Sequence, residues 1–195
     1  MRQTRWGRYA PLVVFLWALN PALVGALTPA QLATLRADIL ADATLNAHPQ
    51  TPDGAAAIAM AYNLPATPNF WVWRTVVTQS ELVNTTSVDA TTFTWVGNGF
   101  ITRSTGEQAA WRELFGDQGS VNAALPQVRQ AFTDIFSGTG NAAANRTHLA
   151  AVARRLATRA EKLFAAGTGS TVSPAVMGFE GLVTLQEVQD ARQLP

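Results

Sequence analysis

The sequence predicts a mainly α-helical, compact multi-helix domain with a minor β-hairpin or short strands. Three observations predict it. Apolar residues recur at three- and four-residue steps through Asn145–Ser170, the pattern of one sticky helical face. Helix start signals recur along the chain: Thr28-Pro29-Ala30-Gln31, Thr51-Pro52-Asp53, Thr78 with Glu81, Ser104 with Glu107, and Thr184 with Glu187. Aromatic and β-branched residues concentrate in short pieces, Phe70–Val77 and Asn84–Arg103, which read as short strands or a hairpin.

In chain order, Thr28 caps a first helix carrying Leu32, Leu35, Ile39 and Leu40, and His48-Pro49-Gln50 breaks it. A second helix runs from Thr51 to about Asn63, with alanines that permit close packing. Leu64–Pro68 is a rigid linker, because each proline fixes its own backbone and restricts the residue before it. Phe70–Val77 reads as a short strand or extended plug. A brief helix after Thr78 takes in Leu82 and Val83. Val96-Gly97-Asn98-Gly99-Phe100 reads as a hairpin turn between TTFTWV and FITRS, the alternative being an irregular loop held by its aromatics.

Ser104 starts a helix through Trp111, Leu114 and Phe115 that Gly116 stops. Another begins near Ala123 and carries Val128, Phe132, Ile135 and Phe136, with a Gly/Ala/Asn loop from Gly138 to Asn145. The segment Asn145–Ser170 is then expected as one amphipathic helix. Leu149, Val152, Leu156, Ala160, Leu163 and Phe164 fall on one face, and Gly167 and Gly169 end it. Ser173–Thr184 reads as a bent strand, and Thr184 caps a terminal helix.

At 195 residues the chain fits one domain, residues 27–195, behind a distinct N-terminal segment, residues 1–26. That segment has a basic start, a short apolar run and a small-residue end, Val24-Gly25-Ala26. It reads as a secretory signal cut near Ala26, or as a start placed too far upstream. The apolar run is too short for a stable membrane span, which needs ~20 residues. Removing Arg2, Arg5 and Arg8 from the 14 basic residues leaves 11 against 13 acidic, so the body is near neutral and a general pull on nucleic acid is not expected. Charged residues make up only 14%, which suits a surface covered by partners or an ordinary Thr/Asn/Gln-rich one. The absence of cysteine removes disulfides and thiolate chemistry.

No motif names a reaction. His48 and His148 lack a metal-ligand spacing, no G-x-S-x-G elbow exists, and the G-x-G triplets lack a third glycine. The expectation is therefore no catalytic residue, no cofactor, no metal and no small-molecule substrate. Two groups are candidates for contact with partners. The aromatics Phe70, Trp71, Trp73, Trp95 and Phe100 are one, since such side chains bury much area at low entropic cost. The other is Arg154, Arg155, Arg159 and Lys162, expected on one helical face, where they could meet neighbouring subunits, a DNA backbone, or only solvent.

Two stretches, LTPAQLATLRADILAD at Leu27–Asp42 with FWVWRT at Phe70–Thr75, and Arg155–Ala191, resemble a family of small structural or morphogenesis proteins of tailed bacteriophages and prophages. Order and spacing match over most of Leu27–Ala191, and poorly from Asn84 to about Arg103. In that family the LTPAQL helix stands at the N-terminus, so Met1–Ala26 is a departure. The resemblance implies a non-enzymatic virion protein, an oligomer joined to other virion proteins. The head-tail junction, where small helical subunits form rings, is its expected place. The expected location is the virion, or host cytoplasm during assembly; if Met1–Ala26 is a real signal, it is the periplasm or the exterior.

Overall fold

Local capping chemistry starts the helices where the sequence places them. The structure is a computed structural model that describes residues 26–195, so most of the signal-like segment lies outside the described residues. Thr28 and Gln31 close a reciprocal capping box at the head of α1 (Pro29–Ala41). Asp42 caps the short α2 (Ala43–Asn46), and Thr51 accepts from the Gly54 N–H to open α3 (Pro52–Asn63). The Thr78–Glu81, Ser104–Glu107 and Thr184–Glu187 boxes open α4 (Gln79–Asn84), α5 (Thr105–Phe115) and α9 (Leu185–Gln193). Between α5 and α9 stand α6 (Pro126–Ile135), α7 (Asn141–Val152) and α8 (Arg159–Leu163).

Helices hold 52% of the described residues, and no strand among them exceeds three residues, so the fold is mainly α with minor β structure. The strands form three antiparallel pairs. β1 (Trp71–Trp73) pairs with β4 (Arg154–Leu156), β2 (Val77–Thr78) with β3 (Ser120–Val121), and β5 (Ala165–Ala166) with β6 (Val176–Met177).

Three expectations are corrected. The segment Asn145–Ser170 is not one helix. It is the end of α7, then β4, α8 and β5. The register Trp71↔Leu156, Val72↔Arg155, Trp73↔Arg154 draws Arg154–Leu156 into an extended ladder. The box of Thr158 and Glu161 then starts a new helix. The apolar stripe is accordingly divided: Leu149 and Val152 enter one core, Ala160 enters another, and Leu156 is exposed.

The second correction concerns Val96–Phe100, which is no hairpin but the irregular loop that stood as its alternative. A 3-10 turn at Gly97–Gly99 sits in an irregular loop among aromatics. Gly99 is required there, because a Cβ would lie 2.2 Å from the Thr94 carbonyl oxygen. The third concerns the Gly138–Asn145 loop, which is shorter than expected because α7 already begins at Asn141. Gly169 does not end a helix either. It holds a left-handed φ of 64° against the Phe70 ring, where a Cβ would meet ring carbon at 2.2 Å.

Two apolar cores result. The first joins α1, α3, α8 and α9 through Leu35, Ile39, Ile58, Tyr62, Ala160 and Val188. The second joins α4 to α7 through Leu82, Trp111, Phe132, Phe136 and Leu149. A small cluster of Val72, Ala157 and Ala175 forms beside β1 and β4. Val72 is fully buried at its centre, paired with Arg155 on one side and bridged to Ala175 on the other.

Candidate interaction sites

The aromatic strand and the basic segment, separate in sequence, are the two halves of the β1–β4 ladder. Arg154 pairs with Asp89 and lies over the Trp71 ring, 5.2 Å from its centroid. Arg155 forks onto both oxygens of Glu161 at 2.7 Å and reaches Glu180 at 3.1 Å. Glu180 also accepts from the Thr75 hydroxyl. Arg159 stands 2.9 Å from Asp38 and from Asp42 and 4.9 Å from the Tyr62 ring centroid. Lys162 Nζ lies 5.9 Å from the centroid of Phe70. Trp73 takes a cation from outside the expected group, with Arg129 at 4.8 Å.

These four basic residues therefore do not share one helical face. Arg154 and Arg155 lie in β4, Arg159 and Lys162 in α8, and each arginine faces carboxylates of its own chain. The electrostatics agree. Burial pushes the Glu161 carboxyl up, but the Arg155 fork and the Thr158 N–H outweigh it and hold the group below its ordinary value. The Glu161 bond in turn raises Arg155, against the effect of burial. Burial and the Asp38 carboxylate together push the Tyr62 phenol up.

Trp95 and Phe100 lie elsewhere, on the loop Thr94–Arg103 at the edge of the second core. Their rings meet edge to face at 5.2 Å, and each packs on Phe93. The loop's outer side is apolar: Trp95 is 43% exposed, Val96 63% and Ile101 64%. Its backbone is nevertheless tightly held. Asn145, fully buried in α7, accepts from the Thr94 N–H at 2.8 Å and donates to the Thr94 and Gly99 carbonyls at 3.0 Å. Asn141 donates to the Val96 carbonyl, and Asn98 donates to the Thr139 carbonyl. Arg103 donates to the Asn98, Ile135 and Ser137 carbonyls and pairs with Glu107 at 2.9 Å. The arrangement is a fixed backbone that presents greasy side chains to water.

Sequence reasoning named Trp95 and Phe100 but missed Asn145, whose amide sets the loop. It also missed the partners Asp38, Asp89, Glu161 and Glu180, which long-range folding brings to the arginines. The Thr158-x-x-Glu161 spacing was the one readable signal for this group. His148 is fully buried. Its Nε2 lies 2.8 Å from the Leu82 carbonyl, which can only accept, so Nε2 carries a proton; Nδ1 faces the Thr91 hydroxyl at 3.1 Å. His48 lies between α2 and α3, half-buried, and its carbonyl accepts from Arg192.

Among the described residues no three His, Asp or Glu side chains gather in a metal-binding group, and no helix is long and apolar enough to cross a membrane. A cavity of about 560 Å³ opens beside Asp38, Pro65, Arg159 and Lys162. No family model, no curated protein and no solved structure matches the chain.

Proposed function

We propose that the protein is a non-enzymatic subunit of a tailed-phage particle that works by protein–protein assembly at the head-tail junction. The observation that carries the reading is the loop Thr94–Arg103. Its backbone is fixed by Asn145, Asn141 and Arg103, while Trp95, Val96 and Ile101 stay exposed. Ordered apolar surface of this kind marks contact with another protein, because burying it is favourable and little loop entropy is lost on docking. Its occupant is a neighbouring subunit. The stretches that resemble phage proteins support the reading, since α1, α8 and α9 share one core and the FWVWRT strand pairs with β4. DNA is the weaker partner: phosphate would compete with Asp38, Asp42, Asp89, Glu161 and Glu180 for the three arginines.

Size-exclusion chromatography with light scattering, on the chain alone and mixed with purified phage particles or portal rings, tests this. Self-association or retention on the particle is expected. A strictly monomeric protein that is also absent from purified virions by mass spectrometry contradicts it. A second reading, an exported binding module, draws on one observation: the first core begins at Leu27, directly after Val24-Gly25-Ala26. Recovery of the chain from the periplasm rather than from virions would favour it.

A further inference from the structure

Leu27 is the first residue of the core: its side chain is buried in the first cluster, whereas Ala26 is exposed. Its backbone N–H donates to Glu187 Oε1 at 2.6 Å, joining positions 160 apart in the chain. Ordinary amide N–H···O bonds lie near 2.9 Å, and shorter ones are typical of charged groups. Glu187 is itself buried, and its other oxygen is committed, accepting from the Thr184 N–H and hydroxyl at 2.8 Å each. Among the described residues no arginine, lysine or histidine forms an ion pair with it. A buried carboxylate is costly without a cation. The Leu27 nitrogen is the group placed to become one.

We infer that Glu187 is the receptor for a free α-ammonium at Leu27, released by hydrolysis of the Ala26–Leu27 bond. Ala26 and Val24 stand first and third before that bond, the small-residue pattern a signal-type peptidase reads. Water adds across the amide. Its oxygen bonds to the Ala26 carbonyl carbon, the C–N bond breaks, and Ala26 leaves as a carboxylate. The Leu27 nitrogen takes up protons and becomes the ammonium. Cleavage acts on the chain before folding, since Leu27 is buried afterwards. Folding then turns a neutral N–H···O contact into an ion pair that locks the start of α1 to α9. The inference rests on the second reading, an exported chain, since a signal-type peptidase acts on chains leaving the cytoplasm; an unpaired Leu27 amine on a cleaved chain would sink the receptor without sinking export.

The test uses the full-length chain expressed in a Gram-negative host. Intact mass and N-terminal sequencing of the purified protein are expected to give Leu27 as the first residue; any other first residue overturns the cleavage. The α-amine is then titrated by its rate of acylation against pH, with Lys162, the only lysine, separated by peptide mass. An amine paired with Glu187 titrates above the ordinary ~8 and, near neutral pH, reacts about tenfold or more slowly in the folded protein than in urea. Glu187→Gln should abolish the upward shift. A wild-type amine that titrates at or below its ordinary value overturns the receptor, and that comparison stands even if the variant does not fold.

Discussion

Asn145 carries more of this account than any other side chain. It replaces a missing ladder: three backbone groups of Thr94 and Gly99 that a hairpin would have paired are satisfied by one amide. Asn145→Ala leaves them unpaired and should cost about 1–3 kcal/mol, read from urea denaturation. Glu81 illustrates the same principle with charge. The Thr78 N–H, then Arg74, hold its carboxyl at about 2, below the ordinary 4.5. Because the folded value is the lower one, the stabilisation is complete above the unfolded value and is lost as pH falls from about 4.5 toward 2. Wild type should therefore lose stability more steeply over that window than Glu81→Gln, as measured by thermal melts at stepped pH. Equal slopes would assign acid sensitivity to other carboxylates. Such local devices were legible in the sequence where both partners lie within four residues, as in the Thr78–Glu81 box. Asn145 was not, because its partners lie 46 and 51 positions away.

At the scale of elements, helix starts were readable and helix continuity was not. A capping box needs only a residue and its third neighbour, so sequence alone exposes it. Whether Arg154–Leu156 stays helical depends on a competing partner, the Trp71–Trp73 strand, far away in the chain. The apolar spacing of Leu149, Val152, Leu156 and Ala160 matched a single helix, yet these residues serve different environments. The short α8 therefore depends on its own cap. Thr158→Ala removes the acceptor for the Glu161 N–H and should destabilise by about 1 kcal/mol, measured by calorimetry. No effect would mean that tertiary packing alone holds α8. The loop Thr94–Arg103 was legible only as the alternative to a hairpin: its threonines and aromatics carry strand propensity, but Gly97–Gly99 turns and the Phe93 ring packs inward.

In the whole molecule, a very small sheet lies on the chain path between the two cores, since β4 follows α7 of the second and precedes α8 of the first. Val72 lies between β4 and Ala175, and Trp73 packs against the second core while Phe70 packs beside Val72. Val72→Ala is expected to cost about 2–3 kcal/mol and to lower the melting of both cores together, because Val72 pairs with β4, the strand that joins α7 of the second core to α8 of the first. Trp111 fluorescence and far-UV circular dichroism should then shift by the same amount. Separate transitions would show that the cores unfold independently.

The outward face of the Thr94–Arg103 loop is the central claim. Sedimentation velocity of the full chain over a range of concentrations, beside the double variant Val96→Ser/Ile101→Ser, tests it most directly. Both replaced side chains are largely exposed, so the thermal midpoint should barely move, while the concentration-dependent association of wild type should fall away. A wild type that sediments as a monomer throughout, or a variant that associates just as strongly, would contradict it.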